Sequence, residues 1–271
     1  MSASGWQARL ELEFTSAAGR TVLSKRQHIG PLIVQRPFYP EGDICHVYLV
    51  HPPGGIVGGD QLLLQVTAQP GSHALITTPA ATRFYRAGPH PTAGLRQELQ
   101  LHDAALEWLP QETILFDGAR AATRTAVHLH GQSRFLGWEI VCLGRPANDE
   151  IFSSGLLAQD FLLYRDGEPV LLDRLRLQGG SAALTAPWGL GGAQALGTLL
   201  MHPAKDVDIA ALRALNKPGV RHAFTQVDGA LLCRALAAQA EPVRQLFTDI
   251  WLQLRPALLG RAAVAPRIWA T

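Results

Sequence analysis

The chain has 271 residues, enough to bury a substantial core, and 24 basic against 22 acidic residues leave a formal net charge of +2. That balance gives no electrostatic footprint for a nucleic acid or a membrane surface. Charged residues make up 17% and hydrophobic residues 47%, against about 25% charged in ordinary soluble domains, so the lone chain is expected to leave apolar surface uncovered, to be poorly soluble, and to be held by other chains.

No basic segment followed by an apolar one opens the chain, and no apolar run approaches the ~20 residues that a bilayer span needs. Both point to a cytoplasmic protein. Cys45, Cys142 and Cys233 are odd in number and far apart, which argues for reduced core residues and against a disulfide framework or a C-x-x-C site.

Residues 6–14 alternate, with Trp6, Ala8, Leu10, Leu12 and Phe14 on one face, the pattern of a half-buried strand. Residues 21–28, 31–35 and 44–50 are further strands, and Pro37, Pro40 and Gly42 forbid a helix between the last two. Residues 51–60 read HPPGGIVGGD. Two prolines and four glycines there specify one backbone path, with Asp60 placing a charge at its end. This loop is either a tight connection or a place where something approaches the main chain. It is no phosphate cradle, since no Gly-Lys-Ser/Thr follows and the next residues alternate like a strand.

Alternation returns at 62–68, 95–101 and 123–130, with short strands at 73–77 and 106–109 and a long apolar run at 134–143. Segments 161–164, 170–177 and 182–185 continue the strand pattern, and no helix is expected before residue 200. The spacing of ~8 to 12 residues predicts a mainly β protein of stacked antiparallel or mixed sheets in one elongated domain. The last quarter differs: a strand at 194–202, a helix at 205–215, a hairpin turning at 227–229, and a helix from Pro242 to about 258. In that last helix Val243, Leu246, Phe247, Ile250, Trp251 and Leu254 form one stripe, ended or kinked near Arg255 by Pro256 and closed by Gly260. Residues 1–192 thus form a β-rich body and 193–271 a part with two helices, within one structural unit.

Gly30-Pro31-Leu32, residues 34–41, Cys45-His46 and the whole of 51–60 resemble the urease accessory proteins of the UreD type, called UreH in some organisms. Residues 77–86, 106–112, 116–119, 142–146, 254–256 and 266–269 extend the likeness in order over essentially the full length. The resemblance implies a non-catalytic scaffold in nickel urease maturation. Its implied partners are UreF, the nickel-carrying GTPase UreG recruited through UreF, and apo-urease, in an obligate hetero-complex. It also implies a fold of many strands with two helices, no stably bound cofactor, and nickel in transit along an internal passage.

No H-x-x-x-H pair or H-E-x-x-H motif is present. His128 and His130 share a strand face, where a polar surface is the plainer reading, and Cys45 and His46 point to opposite faces. Weak oxygen ligands suit an ion that must be released, so Asp60, Glu41, Thr77, Thr78 and Asp117 are the candidate transient nickel path. Arg83, Phe84, Tyr85 and Arg86 form a candidate interface patch, with Trp251 as a second interface candidate on the helix stripe. A β-rich carbohydrate-binding protein or hydrolase is the alternative from another class, although no nucleophile elbow or arranged triad is found.

Overall fold

The computed structural model describes residues 5–270 other than Asp206. The opening alternation forms β1 (Gln7–Ala17), in which Ala8, Leu10, Leu12 and Phe14 are buried as expected. Trp6, assigned to the same face, instead stands 55% exposed just before the strand. There follow β2 (Arg20–Ile29), β3 (Ile33–Val34), β4 (Cys45–Val50), β5 (Gln61–Ala68), β6 (His73–Thr77), β7 (Thr82–Phe84), β8 (Ala93–His102), β9 (Ala105–Leu109), β10 (Thr113–Leu115), β11 (Arg120–His130), β12 (Arg134–Leu143), β13 (Leu156–Arg165) and β14 (Glu168–Gln178).

The strands form two stacked mixed sheets. A seven-stranded sheet runs β14-β13-β11-β8-β5-β1-β2, and within it β1, β5, β8, β11 and β13 are mutually parallel. In the second sheet β4, β6, β9 and β12 are likewise parallel. Antiparallel pairing is confined to the flanks of these parallel cores, as in β1 with β2 and β13 with β14. Parallel neighbours arise because consecutive strands cross between sheets: β5 leads to β6 opposite, β8 to β9, and β11 to β12. The crossing turns stack on one another, with Gly71 N donating to Asp103 O at 3.0 Å and Asp103 N to His130 O at 3.1 Å, and the β13–β14 hairpin turn extends the stack, Gly131 N donating to Asp166 Oδ1 at 3.2 Å. The inner faces of both sheets meet in one apolar core that includes Leu10, Leu64, Leu99, Val127, Phe135 and Phe161, each burial worth about 1.5–3 kcal/mol.

Residues 182–185, expected as a strand, form a one-turn helix, α1 (Ala182–Thr185). Gly179 and Gly180 turn the chain off β14, and Ala186 N closes the turn on Ala182 O at 2.8 Å. β15 (Ala195–His202), β16 (Val220–Val227) and β17 (Ala230–Ala237) then extend the second sheet. The helix expected at 205–215 is shorter, α2 (Ile209–Arg213), capped by Asp208, whose carboxylate accepts from Ala211 N; Asp206 lies outside the described residues.

The final helix, α3 (Ala240–Leu259), buries the whole predicted stripe. It starts two residues before Pro242, which sits at the third position, where a backbone N–H has no intrahelical partner to lose. Pro256 lies within the last turn without ending it, and Gly260 closes the helix in the left-handed conformation. The stripe packs on the outer face of the second sheet against Trp138, Leu199 and Cys233, forming a second core.

Candidate functional site

Two rows of polar side chains face each other across the inter-sheet core. In the first sheet, pairing aligns Gln97 of β8 with Thr125 of β11, Thr125 with Phe161 of β13, and Phe161 with Asp173 of β14. In the second it aligns Glu139 of β12 with Thr198 of β15, and Thr198 with Arg234 of β17. The rows are bonded together. Gln159 Nε2 donates to Glu139 Oε2 at 2.6 Å, and Asp173 accepts from Thr198 Oγ1 at 3.3 Å and from Arg234 Nη2 at 2.6 Å.

The Thr125 hydroxyl lies within bonding reach of both Gln97 Oε1, at 2.6 Å, and Glu139 Oε1. One hydroxyl carries one proton and cannot donate to both oxygens. A proton on Glu139 satisfies every group as oriented, with the carboxyl donating to Thr125 and Thr125 to Gln97. Burial pushes the Glu139 carboxyl up to about 7, against hydrogen bonds from Thr125 and Gln159. When Glu139 ionises, Thr125 turns to it and leaves the Gln97 carbonyl oxygen without a donor, so a carboxylate and a free oxygen stand side by side, a pairing that suits a cation.

Three cavities follow these rows. One of about 150 Å³ lies beneath the glycine-rich loop and is walled by His51, Gly55, Thr78, Thr82 and Gln97. A second, of about 40 Å³, shares Thr78, Thr82 and Gln97 and adds Thr123, Glu139 and Gln159. A third, of about 200 Å³, shares Gln159 and reaches Asp173, Thr198 and Arg234. Glu139 is half-buried, and this second cavity is where its remaining surface faces. His51 Nε2 and Thr123 Oγ1, which line the first and second cavities, are buried with no hydrogen-bond partner among the described residues. Burial lowers the His51 imidazole below its ordinary pKa against the pull of the Asp60 carboxylate, favouring the neutral form.

Only Thr78, of the five residues expected to carry a metal path, lines these cavities; its hydroxyl also accepts from Gln111 N at 2.9 Å. Asp60 is 3% exposed, and its two oxygens accept from Trp6 N at 2.8 Å and Val57 N at 2.9 Å. Thr77 Oγ1 donates to Leu109 O and accepts from Trp269 Nε1. Asp117 braces a turn, accepting from the backbone and hydroxyls of Ser153 and Ser154 and from Arg86 Nη2. What approaches the loop glycines is the protein's own chain: a Cβ at Gly55 would stand 2.2 Å from the Tyr85 ring, and one at Gly58 2.7 Å from His90. No group of three or more His, Cys, Asp or Glu able to hold a metal ion occurs among the described residues.

Glu41 belongs to a different cluster. Fully buried Arg255 of α3 joins Glu41 to Glu107 of β9, His46 Nε2 lies 2.8 Å from Glu41, and His73 Nε2 lies 2.8 Å from Glu107. Trp251 Nε1 donates to Glu107 at 2.6 Å. Burial alone would raise both carboxyls, but hydrogen bonds and charges from the histidines and Arg255 outweigh it and hold them low. Of the interface candidates, Arg83 and Arg86 are exposed and Tyr85 is half-buried, whereas Phe84 and Trp251 are 1% and 0% exposed and fill the core. No partner chain reaches those two without unpacking them. The three cysteines are buried and far from thiolate character, with burial raising Cys45 and Cys142 to about 11 and Cys233 to about 12.

Sequence reasoning passed over Glu139, Gln97, Gln159 and His51. The one available signal was a lone carboxylate in the apolar run 134–143.

The family model described as UreD urease accessory protein matches residues 7–270. The urease accessory protein UreD of Citrobacter koseri is 46% identical over 271 residues, covering 98% of this chain and 92% of the relative. That of Klebsiella aerogenes is also 46% identical over 271 residues, with 98% and 97% covered, and that of Azoarcus sp. is 44% identical over 272 residues, with 98% and 95% covered. No described helix is long and apolar enough to cross a membrane.

Proposed function

The chain belongs to the family of UreD urease accessory proteins, and on that premise we propose that it is a non-catalytic scaffold through which nickel passes on its way to apo-urease. In this reading the protein bridges apo-urease and the UreF–UreG complex in the cytoplasm, as part of a hetero-complex that it does not readily leave. The ion is cargo and no stable cofactor. The observation that carries the reading is the pair of facing polar rows, with Gln97, Glu139, Gln159 and Asp173 lining three consecutive cavities through an otherwise apolar core and Thr125 bonded between Gln97 and Glu139. Oxygens held by few contacts bind a divalent ion weakly enough to release it, and Glu139 gives up a proton as the ion arrives.

The test is maturation of urease by complexes carrying Glu139→Leu or Gln159→Leu, with the nickel content of the purified enzyme as readout. Apolar side chains there interrupt the oxygen series, and nickel content is expected to fall at least tenfold while the partners still co-purify. Normal nickel content with intact partner binding would overturn the passage.

A further inference from the structure

The parallel strands of the first sheet all begin at one end of the molecule, where the register aligns Gln7 with Gln61, Gln61 with Gly94, and Arg120 with Leu156. β2 and β14 finish there, Ile29 opposite Arg9 and Gln178 opposite Leu156. Nine large hydrophobic residues stay exposed among the described residues, and six sit on the loops or strand ends gathered here: Trp6, Ile29, Val57, Ile151, Leu156 and Trp188, at 55, 71, 47, 64, 40 and 76%. Isolated exposed apolar side chains need no explanation, but this concentration at one end marks an interaction site.

The loops that present them are braced. The Asp60 carboxylate binds the backbone of both Trp6 and Val57. Asp117 holds the amides of Ser153 and Ser154 beside Ile151, and Gly180 N donates to Phe152 O at 3.1 Å, fixing the chain that leads to Trp188. A surface held this way meets its partner with little ordering left to do. Its arginines are only partly matched by carboxylates: Arg86 pairs with Asp117 and Arg145 with Glu150. Arg83 has no carboxylate partner among the described residues, and Arg120 spends its guanidinium on the carbonyl oxygens of Gly88 and His90; Asp149 is an opposing exposed carboxylate here with no cation on it among the described residues. The cavity beneath the glycine-rich loop is walled by His51, residues 54–56 and residues 79–83 from the same end.

We propose that this loop-bearing end is the docking face for a protein partner that presents apolar side chains framed by carboxylates, seated over the His51–Thr82 cavity. The choice of occupant rests on Arg83 and Arg120, the two guanidinium groups here that lack a carboxylate among the described residues, and on continuity with the proposed passage. Cargo leaving or entering that cavity must cross whatever covers this end.

The test uses the full chain with purified UreF and apo-urease as separate probes. Hydrogen exchange should slow at 5–6, 56–60, 149–156 and 186–190 when one of them binds, and the double substitution Ile29→Asp with Ile151→Asp should weaken that binding at least tenfold without changing the melting temperature. Leu252→Asp, exposed on α3, should bind as wild type. Arg83→Glu should slow association and flatten its salt dependence. Protection confined to α3 or the β14 face, or protection that sizing traces to a symmetric pair of this chain, would overturn the proposal. Loss of binding in the double variant alongside normal nickel delivery by Glu139→Leu would keep the docking face and remove the passage; the reverse pair of results would do the opposite.

Discussion

Arg255 grips Glu107 fork to fork in full burial, with Nε 2.9 Å from Oε2 and Nη2 3.0 Å from Oε1. Nη2 also donates to Glu41 Oε1, and the remaining nitrogen, Nη1, reaches Glu41 Oε2 and the carbonyl of Ala262, so one guanidinium ties α3, β9, the 35–44 segment and the C-terminal tail together.

Removing one partner of a buried pair leaves the other charge uncompensated. Arg255→Met is therefore expected to cost about 3–5 kcal/mol, read as a lower urea midpoint by tryptophan fluorescence. Adding Glu107→Gln should recover part of the loss, because the two substitutions remove one shared interaction. Additive losses would mean that the pair is not coupled.

Glu139 makes the opposite contribution. Its carboxyl titrates near 7 in the folded protein and from 4.5 when unexposed to the fold's burial, so between those values the folded state holds the extra proton and stability falls as pH rises. Glu139→Gln removes that slope. The variant should gain on the wild type as pH rises from about 4.5 through 7, by up to about 3 kcal/mol once Glu139 is ionised. Parallel stability curves for the two proteins would place the carboxyl's titration elsewhere.

The strands of this fold were legible because burial on one face imposes alternation, as in Leu10, Leu12 and Phe14 of β1. Their pairing was not. The four residues between β5 and β6 look like a hairpin turn, yet the turn crosses to the facing sheet and β5 pairs with β8 instead. The α3 stripe was visible through its spacing, whereas α1 is one turn set by Gly179 and Gly180 and has no period to see. Of the facing polar rows, sequence showed least: Gln97, Glu139 and Gln159 lie on separate strands and meet only through a register that sequence does not specify. Arg255 and Glu107 share the signal that Glu139 carries, a charge set among apolar neighbours.

Asp60 holds two backbone amides, and its removal strands both. Asp60→Ala should cost about 1–3 kcal/mol and speed hydrogen exchange at Trp6 and at 57–60, while Asp60→Asn, which keeps one acceptor oxygen, should fall between. If exchange is unchanged in Asp60→Ala but urease receives less nickel, the carboxylate acts on the cargo; faster exchange with normal nickel content assigns it to the loop alone.

Gly197 of β15 tests how closely α3 is seated. In a strand interior, glycine to alanine ordinarily stabilises by about 0.4–1 kcal/mol by restricting the unfolded chain. Here the new Cβ would stand 2.6 Å from Phe247 and 2.7 Å from Val243, distances at which overpacking costs about 1–3 kcal/mol. The steric effect is the larger, so Gly197→Ala should lower the melting temperature. Val243→Ala removes one of the two clashing groups but not the Phe247 ring, so the double variant should regain only part of the loss. A melting temperature raised by Gly197→Ala alone would show that α3 lies farther from the sheet than these contacts place it.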